Sequence, residues 1–71
     1  MELSELIRQT RKRANLTQAE LANLAGVGKT VVWDLEHGKC TVRLETLIKI
    51  LTSLNIELIA RSPINKEEIR L

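Results

Sequence analysis

Seventy-one residues suffice for one domain and leave only a modest core, because so short a chain buries a small share of its surface. Eleven Lys and Arg face nine Asp and Glu, a net charge of +2, so any affinity for nucleic acid must come from how the charges are placed. Cys40, the single cysteine, excludes an internal disulfide. No Cys/His set has metal-ligand spacing, so neither a metal nor a cofactor is expected. With no apolar h-region at the start and no run of the roughly 18 apolar residues that a membrane span needs, the expected compartment is the cytoplasm.

The first helix is expected over about Glu2 to Ala14, where Leu3, Ile7, Thr10 and Ala14, with Leu6 beside them, form a one-sided stripe. Asn15, tolerant of left-handed backbone, breaks it. Thr17 caps a second helix, and Glu20 sits where a capping box needs its acceptor. Ala19, Leu21, Ala22, Leu24 and Ala25 make that helix short and small-sided, and Gly26 supplies the positive φ that ends it.

A third helix is expected from Gly28 to His37, stopped by Gly38. At 100° per residue, Gly28, Val31, Val32 and Leu35 gather on one side, while Lys29, Thr30, Trp33 and His37 fall opposite. Trp33, the only Phe, Tyr or Trp of the chain, therefore points away from the core, a costly place unless something binds there. After a loop, a fourth helix is expected from about Arg43 to Leu54, with Leu44, Leu47, Ile48, Leu51 and Leu54 inward and Lys49 and Thr52 outward; Asn55 closes it. Ile56-Glu57-Leu58-Ile59-Ala60 is too brief for another helix, and its β-branched content favours a strand. Residues 1–60 thus read as the domain and 61–71, polar apart from Ile69 and Leu71, as a mobile tail.

Two short helices joined by a tight Gly turn make a helix-turn-helix unit: Gln18 opens it, Ala22 sits where the helices touch, Gly26 turns the chain, and Val32 and Leu35 return to the core. No nucleophile–base pair, paired carboxylates or Gly-rich phosphate loop is present, so catalysis is not expected. Basic residues cluster twice, at Arg8, Arg11, Lys12 and Arg13, and around Lys29, His37, Lys39 and Arg43. The first cluster reads equally well as a solvated helix face.

Leu16-Thr17-Gln18-Ala19-Glu20-Leu21-Ala22, Gly26-Val27 and Leu35-Glu36-His37-Gly38-Lys39 resemble the Cro/XRE-type repressors over about Ile7 to Leu54. Thr41-Val42-Arg43-Leu44-Glu45-Thr46-Leu47, followed by Leu54-Asn55-Ile56-Glu57-Leu58, is similar to HipB-type antitoxins. The resemblance implies an all-α, lambda-repressor-like domain of four to five short helices, plus one short C-terminal strand that pairs across a dimer through Ile56, Glu57, Leu58, Ile59 and Ala60. It implies double-stranded DNA with a palindromic operator as ligand, and a HipA-like kinase toxin as partner. The third helix would enter the major groove, with Lys29, Thr30, Trp33 and Asp34 at base edges and Thr17, Gln18, His37, Lys39 and Arg43 at phosphates. It also sets Arg11 against Glu36 as scaffold. The chain departs from the family pattern at Gly28, where Ser or Thr is common, and at Trp33, where a small polar residue is usual. The rival reading is a protein-interaction module that uses Trp33 on another protein, or a phage-type repressor with no toxin.

Overall fold

The computed structural model describes residues 1–39 and 41–71; Cys40 lies outside the described residues. Four helices are followed by two strands: α1 (Leu3–Arg13), α2 (Gln18–Ala25), α3 (Lys29–Glu36), α4 (Leu44–Ser53), β1 (Ile59–Ser62) and β2 (Glu67–Arg70). The helix breaks fall where local chemistry places them. Asn15 and Asn55 both take φ 58°, and Gly26 and Gly38 take φ 72° and 83°. At Gly26 an added Cβ would meet nothing within 4 Å, so the positive φ is what calls for glycine there. The Val27 amide donates to the Ala22 carbonyl at 2.9 Å, closing α2 in the manner of a Schellman turn.

The core is built by Ile7, Leu21, Ala22, Val32, Leu35, Ile50, Leu51 and Leu54. Burying these aliphatic side chains stabilises the domain by roughly 1.5–3 kcal/mol for each of the larger ones. Ala22 is buried and α2 packs on α3, so a longer side chain there would drive the two apart. The inward arc of α4 is rotated from the expected one. Ile50, expected outside the stripe, is fully buried, whereas Leu44 is 55% exposed. α4 packs against α2, which favours the arc Ile50, Leu54, Leu47 and Leu51 over one centred on Leu44.

The C-terminal segment corrects the sequence reading most. The strand begins at Ile59, not Ile56, because Ile56 and Leu58 lie against the core and the Ile56 amide donates to the Leu51 carbonyl at 2.8 Å. Within the chain it pairs with β2, antiparallel, with Ile59 opposite Arg70, Ala60 opposite Ile69, Arg61 opposite Glu68 and Ser62 opposite Glu67. Residues from Arg61 onward, expected to be a mobile tail, therefore complete a hairpin. Its turn holds the sole proline, Pro63, and a left-handed Lys66 at φ 56°, and the Asn65 amide donates to Ser62 Oγ at 3.3 Å. The Leu71 amide donates to the Leu58 carbonyl at 2.7 Å, carrying the ladder one step beyond the strands.

The register gives the hairpin two unlike faces. Leu58, Ala60 and Ser62 share one with Leu71, Ile69 and Glu67; Ile59 and Arg61 share the other with Arg70 and Glu68. Leu58 and Leu71 border an open groove of about 460 Å³ against Ile48, Leu51 and Ile56, while Ile69 remains 62% exposed. Among the described residues, no helix is long and apolar enough to cross a membrane.

Candidate nucleic-acid interface

The helix-turn-helix unit is braced from beneath by a polar network. Arg11 of α1 donates from Nε to Glu36 Oε2 at 2.6 Å, from Nη2 to Glu36 Oε1 at 2.9 Å, and from Nη1 to the Leu16 carbonyl at 2.8 Å. Gln18 Nε2 donates to Glu36 Oε1 at 3.3 Å. Both members of the ion pair are buried. Burial of the Glu36 carboxyl opposes its ionisation, but the hydrogen bonds from Arg11 and Gln18 and the charges of Arg11 and Arg8 outweigh this and hold it below its ordinary range. In return the Glu36 hydrogen bond pushes Arg11 further toward its charged form, against the effect of burial. One carboxylate thereby fixes α1, the start of α2 and the end of α3 relative to one another.

The start of α2 is prepared by Thr17. Its Oγ1 accepts the Glu20 amide at 3.0 Å, and its own amide donates to Glu20 Oε1 at 2.8 Å, the reciprocal pair of a capping box. The bonds from Thr17 hold the Glu20 carboxyl below its usual range. Thr17 is exposed, and its hydroxyl keeps a donor in addition to the bond that it accepts. First-turn amides have no intrahelical acceptor, and the helix dipole favours an anion at this end. Gln18, expected at phosphate, is half-buried with its amide turned inward to Glu36, where it joins the brace.

α3 presents Lys29, Thr30, Trp33 and His37 as one exposed ridge while Val32 and Leu35 are buried. Gly28 takes the N-cap position with no side-chain hydrogen bond, so the head of this helix is left to backbone groups. Trp33 and His37, one turn apart, stack with ring centroids 3.7 Å apart and planes 18° off parallel. His37 Nδ1 lies 2.7 Å from the Trp33 carbonyl. The sequence placed both rings on one face but gave no sign that they stack.

Asp34, expected at base edges, is half-buried and accepts from Lys39 Nζ at 3.4 Å, beside the ridge rather than on it. That pair holds Lys39, expected at phosphate, beside the C-terminal end of α3. Arg43 is exposed at the N-cap of α4, with no cap bond from its side chain. Thr17, Lys39 and Arg43, expected at phosphates, are all exposed, as are Lys29, Thr30 and Trp33, expected at base edges.

Two short helices at a glycine turn, the second bearing an outward polar and aromatic ridge, define a helix-turn-helix DNA-binding regulator of transcription. The family model for a helix-turn-helix domain matches residues 2–58, and the chain belongs to the Cro/XRE-type members of that family. It is 37% identical over 62 residues to an HTH-type transcriptional regulator of Sinorhizobium fredii, covering 87% of this chain and 82% of the relative. Among solved structures it resembles the restriction-modification controller protein C.AhdI of Aeromonas hydrophila, with a TM-score of 0.70 at 33% identity over 78% of this chain and 83% of that one. A HipB variant in complex with an O2 20-mer gives a TM-score of 0.73 at 28% identity, covering 86% and 85% of the two chains. A HipA–HipB–O2–O3 complex gives the same score at 26% identity, covering 86% of each chain.

Proposed function

We propose that this protein is a cytoplasmic homodimeric repressor that binds a palindromic operator by binding alone, without catalysis, and acts as the antitoxin of a HipA-like kinase whose operon it silences. The observation that carries the reading is the exposed ridge Lys29, Thr30, Trp33 and His37 on a helix held rigidly by the Arg11–Glu36 brace. The similarity to HipB, with operator and in the HipA complex, supports the narrower role. Dimerisation along β1, which holds Ile59 and Ala60 of the expected segment Ile56 to Ala60, is supported by the hairpin itself, since a lone two-stranded sheet is marginally stable in water and exposes strand edges. Two copies related by a two-fold axis would set their recognition helices roughly 34 Å apart, one turn of duplex.

The test has two arms. The chain should bind the duplex upstream of its own gene with an affinity that falls steeply between 50 and 200 mM salt, as counterion release requires. Co-expressed with the product of the adjacent reading frame, it should elute as one complex on gel filtration. A second reading, a stand-alone regulator with no toxin, is favoured by the 33% identity to a restriction-modification controller protein. Operator binding with separate elution of the two gene products would select it.

A further inference from the structure

We infer that the Trp33–His37 stack is a single rigid reader of the thymine 5-methyl group, an inference that rests on the proposed DNA-binding role. Trp33 is 50% exposed on the outer face of α3, beside Lys29 and Thr30. An exposed indole would ordinarily sample several rotamers, and ordering it on binding would cost entropy. Here the imidazole of His37 covers one ring face at 3.7 Å. The imidazole is itself tied down, because its Nδ1 lies 2.7 Å from the Trp33 carbonyl; a carbonyl only accepts, so Nδ1 carries the proton. The indole is thereby ordered before any ligand arrives, with its remaining surface turned to solvent.

The position of the ring along the helix decides what it would meet. From Lys29 to His37 the ridge rises about 12 Å, close to the width of the major groove. Trp33 stands at its midpoint, one turn from Lys29 and Thr30, so a helix that sets those two at base edges brings the indole to the same groove floor. The other prominent base features on that floor are polar donors and acceptors that would lose their water against an apolar ring without a hydrogen bond in return. The thymine methyl is the largest apolar feature, and covering it removes apolar surface from water on both sides.

The experiment uses the full chain. Duplexes are selected from a random pool, and each thymine of the selected site is then replaced singly by deoxyuridine, which removes only the methyl. One position in each half-site is expected to lose roughly fourfold in affinity for the wild type, the worth of one buried methyl group. The same replacement is expected to change affinity less than twofold for Trp33→Ser, whose fold is checked by an unchanged melting temperature. His37→Ala, which unpins the indole, should show an intermediate penalty. Equal affinity of the wild type for every uracil duplex, or an undiminished penalty in Trp33→Ser, overturns the inference while leaving DNA binding intact. Failure to select any duplex overturns the DNA-binding reading as well. Trp33→Ser that keeps full operator affinity and loses the co-expressed protein partner would make the stack a protein contact and also overturn it.

Discussion

Replacing Arg11 by Ala should damage the fold before it damages recognition. The substitution removes both charged hydrogen bonds to Glu36 and the donor to the Leu16 carbonyl, leaving a buried carboxylate with Gln18 at 3.3 Å. Stranding one partner of a buried ion pair typically costs roughly 3–5 kcal/mol. A domain of this length has a total stability of only roughly 4–10 kcal/mol, so the loss consumes a large part of it. For small domains each kcal/mol shifts the midpoint by about 4–8 °C, which predicts a fall in Tm of at least about 12 °C by circular dichroism at pH 7. The double variant Arg11→Met/Glu36→Leu should recover most of the loss, because apolar residues of similar volume often replace a buried pair at little cost. The pair also gives stability a pH dependence. The folded Glu36 lies below its unfolded value, so its contribution is complete above the ordinary carboxylate range and disappears as the pH falls through the lowered folded value. Glu36→Gln should therefore flatten the acid limb of the stability curve. An Arg11→Ala protein that melts within about 3 °C of the wild type but has lost DNA affinity would refute this account and make Arg11 a DNA ligand.

Lys29→Ala should relax sequence preference, seen as a smaller ratio of selected to random duplex affinity. Lys39→Ala should weaken all duplexes alike and reduce the salt slope by about one unit; identical behaviour of the two variants would remove the division between base and phosphate roles. Thr17→Ala opens the capping box of α2 and should cost about 1 kcal/mol in chemical denaturation, with an unchanged midpoint counting against the cap. In β1 the Leu58–Leu71 bond implies that the backbone groups of Ile59 and Arg61 point to the outer edge. Arg61→Pro should thus spare the hairpin yet weaken any dimer formed along that edge, measured by sedimentation, and an unaffected dimer would place the contact elsewhere.

The helical half of the molecule was legible because its punctuation is local. Asn15, Gly26, Gly38 and Asn55 adopt the left-handed backbone that Asn and Gly tolerate, and Thr17 with Glu20 forms the box their spacing suggests. Gln18 was not legible in the same way, since its partner Glu36 is 18 residues distant and only packing brings the two together. The rotation of α4 toward Ile50 is likewise decided by α2 rather than by the α4 sequence. The hairpin escaped notice because Glu67-Glu68-Ile69-Arg70 carries three charges and a single β-branched residue, a composition that reads as solvated chain. The usable clue was Pro63-Ile64-Asn65-Lys66, turn chemistry set between Ile59–Ser62 and an end bearing Ile69 and Leu71.

The hairpin's strands pack chiefly on each other, and its residues are almost all exposed, whereas the helices share one core. Cooperative unfolding follows shared burial, so the molecule divides into two units of unequal persistence. Amides of β1 and β2 should exchange with solvent by local opening at rates far above those of α2 and α4, and a protease should cut first near the exposed Ile64. In a monomer the recognition helices would outlive the hairpin on heating; whatever seats the hairpin joins the two units into a single transition. Its exchange rate therefore reports occupancy of that surface, and can be followed without knowing in advance what occupies it.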